Sequence, residues 1–173
     1  MSAPNSQALH AEIETLARRL RLPYLRKAAA EVLPTAKAQR WDPAEVVRVL
    51  LEEEAQGRDA ATIRNRRKRA GFPTGKTFDS WRETASSIPP ATQQALRTLE
   101  WIRRAENLAV VGPSGTGKSH LLEALGQAAI GDGLTVAWFD IETLGRLVTR
   151  HRADDTVTKA INRVAVRRPR RDR

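Results

Sequence analysis

The eight residues GPSGTGKS, 112–119, restrict the fold of this chain more than any other stretch. They follow an apolar run, Leu108-Ala109-Val110-Val111, and precede a helix-like run, Leu121-Leu122-Glu123-Ala124-Leu125. The spacing of Gly112, Gly117, Lys118 and Ser119 matches G-x-x-x-x-G-K-[ST]. Glycine admits backbone angles closed to other residues, so successive N–H groups of such a loop can approach phosphate oxygens. The helix that starts at the lysine adds the positive end of its dipole at the same place. The pattern therefore calls for a strand, a tight loop and a helix in that order. The expected nucleotide-holding segment is Gly112, Pro113, Ser114, Gly115, Thr116, Gly117, Lys118, Ser119 and His120. Lys118 would reach the β- and γ-phosphates of ATP, and the Ser119 hydroxyl would ligate Mg²⁺.

The surrounding pattern agrees with this order. Leu108 to Val111 reads as a short buried strand, Ser119 to Ala129 as a helix, Gly131-Asp132-Gly133 as a turn, and Leu134 to Phe139 as a second strand. Strand, helix and strand in this compass form a βαβ unit, whose parallel strands need a crossover helix. Helix-like segments follow at 141–151 and 156–166. Asp140 and Glu142 end the second strand, but the acid that holds Mg²⁺ and positions water in most such nucleotide hydrolases lies one βα unit further on. Asp140 is therefore read as a strand-ending acid, and no catalytic residue is assigned.

The first half of the chain reads as helical. Leu9, Ile13, Leu16 and Leu20 have the spacing of an amphipathic helix, and Leu25 to Leu33 forms a second periodic stretch between Pro23 and Pro34. In DPAEVVRVLLEEEAQG, Asp42 is an N-cap, Pro43 stands at the first helical position, and Gly57 is expected to end the helix. A further helix is expected from Ala60 to Ala70, then a loop-like stretch to Ile88, then another helix after Pro89-Pro90.

Charge points to a partner. The net charge is +10, and residues 58–76 hold Arg58, Arg64, Arg66, Arg67, Lys68, Arg69 and Lys76 against Asp59 alone. The run Arg64-Asn65-Arg66-Arg67-Lys68-Arg69 has no acids at i,i+4 to neutralise it, so repulsion disfavours a helix there unless an anion binds. Arg64, Arg66, Arg67, Lys68 and Arg69 are the expected contacts to duplex DNA phosphates. The terminal RRPRRDR, 167–173, is short and broken by proline, and disorder is expected there. The chain of 173 residues has no cysteine, which removes disulfides and thiolate metal sites and makes the cytoplasm the simplest compartment. His10, His120 and His151 make no ligand spacing, and no stretch is long and apolar enough for a membrane span or a secretory signal.

Taken with RNRRKRAGFPTGKTFDSW at 64–81 and LEWIRRAENLAVVGPSGTGKSHLLEALGQAAIGDGLTVAWFD at 99–140, the chain resembles the IstB-like ATPases, helpers of transposition related to DnaC-type helicase loaders. The resemblance implies ATP with Mg²⁺, duplex DNA, self-association and a transposase partner. It implies an α/β fold: an all-α, basic DNA-binding domain over 1–95, then a P-loop NTPase domain of the AAA+ type over 96–166, incomplete beyond its first βαβ unit, then the tail at 167–173. After a helix like that at 156–166 the family has a Walker B strand, a sensor strand and an arginine finger, and this chain has RRPRRDR. The expectation is a truncated copy that retains binding residues and has lost hydrolysis. A helicase loader, or a DNA-binding remnant without nucleotide function, remain as alternatives. A small-molecule kinase would share the loop but leaves the basic helical part unexplained.

Overall fold

The computed structural model describes residues 6–152, so the expected helix at 156–166 and the tail lie outside the described residues. The chain divides into two compact units, Met1–Thr62 and Ile63–Arg173. The division falls inside a long helix.

The first unit holds α1 (Ser6–Arg19), α2 (Pro23–Gln39) and most of α3 (Pro43–Ala70). Asp42 caps α3 as its sequence predicts: Oδ1 accepts the Ala44 N–H at 2.8 Å. Pro34 falls within α2, which continues past it to Gln39. Gly57 does not end α3, contrary to expectation. The helix runs through it, and the Tyr24 ring lies against the bare Cα, where a Cβ would overlap the ring. Gly57 serves a close approach between helices rather than a stop. Glu54, one turn earlier and 5% exposed, accepts the N–H groups of Tyr24 and Leu25 at 2.9 Å each, closing the open N-terminus of α2. Arg58 pairs with its other oxygen at 2.7 Å and donates to the Arg21 carbonyl. Burial acts to raise the Glu54 pKa, but the Leu25 N–H, Arg58 and the Tyr24 N–H outweigh it and hold the carboxyl below its ordinary value. The buried core of this unit is alanine-rich, Ala17, Ala29, Ala36 and Leu50. The leucine stripe expected to be the buried face of α1 is largely uncovered among the described residues, with Leu16 at 52% and Leu20 at 64% exposure.

In the second unit α3 ends at Ala70, and a strap follows over 71–89 with two single 3-10 turns, Phe78–Ser80 and Glu83–Ala85. Then come α4 (Pro90–Arg97), α5 (Glu100–Arg103), α6 (Lys118–Gly131) and α7 (Ile141–Arg152). Leu99, Leu121, Leu125 and Ala129 form the core, with Phe78, Trp81, Trp101, Leu108, Val110, Leu134 and Val136 packed on it. Helix α6 is the axis of the unit, buried along Leu121, Ala124, Leu125, Ala129 and Ile130.

The expected βαβ unit is not formed among the described residues. Segments 106–113 and 134–140 flank α6 without helical or strand assignment, and no backbone hydrogen bond joins them. Ladder hydrogen bonds define a strand, and no described segment pairs with either one. Their apolar residues Leu108, Val110, Leu134 and Val136 still pack on the core, so hydrophobic burial holds these segments in place without sheet pairing. The second segment is also tied to the end of α3, where the Trp138 N–H donates to the Ala70 carbonyl at 2.8 Å.

Candidate phosphate-binding loop

Residues 112–116 form an exposed turn that leads through half-buried Gly117 into α6. Gly115 and Gly117 stand at φ +80 and +85, in the left-handed region where a side chain is strained. Gly117 is the N-cap of α6, and its carbonyl accepts the Leu121 N–H at 2.9 Å. The Thr116 hydroxyl donates to the Pro113 carbonyl at 2.9 Å, and the Lys118 ammonium folds back onto the same oxygen. Two donors on one carbonyl give the turn its closed shape. Lys118 is half-buried and Ser119 exposed, so the hydroxyl faces solvent at the positive end of the helix. These features fit a phosphate: open glycine backbone, an ammonium inside the turn and a free hydroxyl beside it. A cavity of about 620 Å³ between α1 and α2 is lined by Leu9, Ile13, Leu33 and Lys37 and includes no loop residue.

The residue after Ser119 turns away from the loop. His120 Nε2 lies 3.1 Å from the Thr77 carbonyl and 3.2 Å from Ser80 Oγ. A carbonyl only accepts, so Nε2 carries a proton. The imidazole also stands edge-on to Trp81, centroids 5.1 Å apart. His120 thus ties the first turn of α6 to the strap. Sequence reasoning missed the residues that support the loop from below. Trp81 Nε1 donates to Gln93 Oε1 at 2.7 Å, and Gln93, 1% exposed, donates to the Glu83 and Ile88 carbonyls at 3.1 and 2.7 Å. Glu123, also 1% exposed, accepts the Thr74 hydroxyl at 2.9 Å and the Lys76 N–H at 3.1 Å. The available signals were an acid inside the apolar run Leu121–Leu125 and a tryptophan inside a loop-like stretch.

Asp140 has a local role. Its Oδ1 accepts the Thr143 N–H at 2.5 Å, capping α7, and that N–H, then the Thr143 hydroxyl, hold its pKa below the ordinary value. The described residues contain no cluster of three His, Cys, Asp or Glu able to hold a metal.

The basic run lies on the last turns of α3, inside the second unit. Arg64, Arg67, Lys68 and Arg69 are exposed. Arg66 is half-buried and donates to the Gly133 carbonyl at 2.6 Å, securing the turn after α6. Just beyond the run, Phe72 lies over Gly126, where a Cβ would sit 2.8 Å from the ring, and meets Trp138 edge-on at 5.9 Å.

A glycine turn that opens a helix, with lysine at the first helical position, is the arrangement of a phosphate-binding loop. Comparison with known proteins gives the family. The model of the IstB-like ATP binding protein family matches residues 15–169, and the chain belongs to that family. Similar proteins include the "Insertion sequence IS21 putative ATP-binding protein" of Pseudomonas aeruginosa, 26% identical over 91% of this chain and 60% of its own length. An IS21-like counterpart from Bacteroides fragilis is 31% identical over 77% of this chain and 51% of its own length. The "Insertion sequence IS5376 putative ATP-binding protein" of Geobacillus stearothermophilus is 33% identical over 66% and 46%. The chain spans about half to three fifths of the length of these relatives. No helix among the described residues is long and apolar enough to cross a membrane.

Proposed function

We propose that this chain is an ATP-binding, DNA-associated helper of transposition, acting in the cytoplasm beside a transposase and associating with copies of itself on duplex DNA. The observation that carries the nucleotide part is the turn itself: Gly115 and Gly117 at positive φ, with the Lys118 ammonium folded into it at the start of α6. ATP phosphates would be held by the backbone N–H groups of Gly112–Ser119 and by Lys118, which would exchange the Pro113 carbonyl for a phosphate oxygen. Mg²⁺, when bound, would neutralise the phosphate charge beside the Ser119 hydroxyl. His120 contributes by fixing the first turn of α6. Exposed Arg64, Arg67, Lys68 and Arg69 would contact DNA phosphates, while Arg66 holds the Gly133 turn. Hydrolysis is assigned to no described residue, because Asp140 is committed to capping α7.

The test is calorimetric titration with Mg-ATP and Mg-ADP. Wild-type protein should bind, and Lys118→Ala should weaken binding by about 1.5 to 3 kcal/mol, the worth of one hydrogen bond to a charged group. Equal binding by both proteins refutes the assignment.

A further inference from the structure

Gly117 is the residue from which α6 starts, and its backbone is shaped from outside. A Cβ built on it would lie 3.2 Å from Trp81 Cζ3 and 3.5 Å from Cη2, so the far edge of the indole rests on the bare Cα. The opposite edge is anchored: Nε1 donates to Gln93, whose amide group is bonded to Trp81, Glu83 and Ile88. A third side of the ring meets the His120 imidazole at an interplanar angle of 83°. Rotating the indole would break the Gln93 bond and the His120 contact together. A glycine loop loses about 1 to 2 kcal/mol of backbone entropy for each residue that a ligand must order. A wall that orders the loop beforehand removes part of this cost from binding.

We infer that Trp81 is a positioning residue for phosphate binding: anchored by Gln93, its indole braces Gly117 and keeps the exit turn of the loop in its left-handed conformation. The residue touches no phosphate and acts only through Gly117 and the first turn of α6. This inference rests on the nucleotide-binding reading above.

The full chain is titrated with Mg-ADP as wild type, Trp81→Ala and Trp81→Phe, with helical content and thermal unfolding recorded for each. Trp81→Ala should raise Kd about five- to twentyfold. Trp81→Phe keeps an aromatic wall without the Gln93 bond and should recover most of that loss. A readout that a merely structural residue would not move comes from a variant with Trp41, Trp101 and Trp138 changed to Phe, leaving Trp81 as the only indole. Its emission should change on addition of Mg-ADP and saturate with the Kd of the same variant measured by calorimetry. Failure of wild-type protein to bind Mg-ADP overturns the nucleotide reading and this inference with it. If wild type binds while folded Trp81→Ala binds within twofold of it, or Trp81→Phe recovers nothing, the inference alone is overturned. Should Trp81→Ala fail to fold, the emission decides: no change at saturating Mg-ADP overturns the inference.

Discussion

Replacing Arg64, Arg67, Lys68 and Arg69 together by Gln tests the proposed DNA surface, because these are the exposed cations of the run and Arg66 is spent on the Gly133 carbonyl. Gln is nearly as good a helix former as Arg or Lys, so α3 should persist. Each phosphate neutralised contributes a slope of about −0.9 to log K against log salt, so four contacts give about −3.6. Between roughly 50 and 200 mM salt that slope amounts to about two decades of affinity. Fluorescence anisotropy with two labelled duplexes of unrelated sequence reads it directly. Wild-type protein should bind both similarly and lose affinity steeply with salt, because the proposal places the four exposed cations on phosphates, which carry no sequence information. The fourfold variant should lose that steepness while still binding Mg-ADP. Deleting 167–173 should change the slope much less. An unchanged slope in the fourfold variant, with binding abolished by the deletion, would refute the reasoning and move the polyanion site to the tail.

Gly57→Ala should destabilise the first unit by about 1 to 3 kcal/mol through overlap with Tyr24, where alanine in an open helix position gains about 1 kcal/mol. Gly145→Ala in α7, with nothing within 4 Å of the added carbon, is the control of opposite sign. Hydrogen exchange of α2 and α7 amides reads both, and stabilisation by Gly57→Ala would refute the packing argument. Glu54 is held below its ordinary pKa in the fold, so its contribution is complete above the unfolded value and lost as pH falls through the folded one. The stability gap between wild type and Glu54→Gln should therefore narrow as the solution is acidified below the usual glutamate range, and thermal unfolding across pH 3 to 7 checks it; a gap independent of pH would refute the linkage.

The glycine turn that opens α6 was legible from its residues because glycines at that spacing ahead of a helix leave the backbone few alternatives. The Asp42 cap was legible for the same local reason. Gly57 misled because a glycine that ends a helix and one that admits a neighbouring ring look alike in sequence; only Tyr24, distant in the chain, separates them. Helix ends were hidden where the left-handed closing residue is not glycine. Arg21, Arg40 and Ala105 stand at φ +57, +54 and +57, and the next residue's N–H reaches back to the carbonyls of Ala17, Ala36 and Trp101. That closure is the one Gly133 makes after α6, without the glycine that announces it. The strand expectation failed for a different reason. Apolar runs at 108–111 and 134–139 record which residues are buried, and burial against α6 satisfies that pattern without a ladder. The contacts of Trp81 with Gly117 and of Glu123 with Thr74 and Lys76 join residues far apart in sequence, and no periodicity encodes them or the Gln93 bonds across the strap.

Glu123 has a consequence for conformational choice. An apolar helix face accepts a passing chain at many offsets of similar energy, since hydrophobic contact has no direction. A carboxyl group sunk in that face accepts few, because its oxygens need donors at fixed points, which the Thr74 hydroxyl and the Lys76 N–H supply. Sliding the strap by one residue would replace both and leave a buried acceptor unpaired, at about 1 to 3 kcal/mol or more. Glu123 thereby sets the register of 72–81 on α6, making a greasy contact into an indexed one.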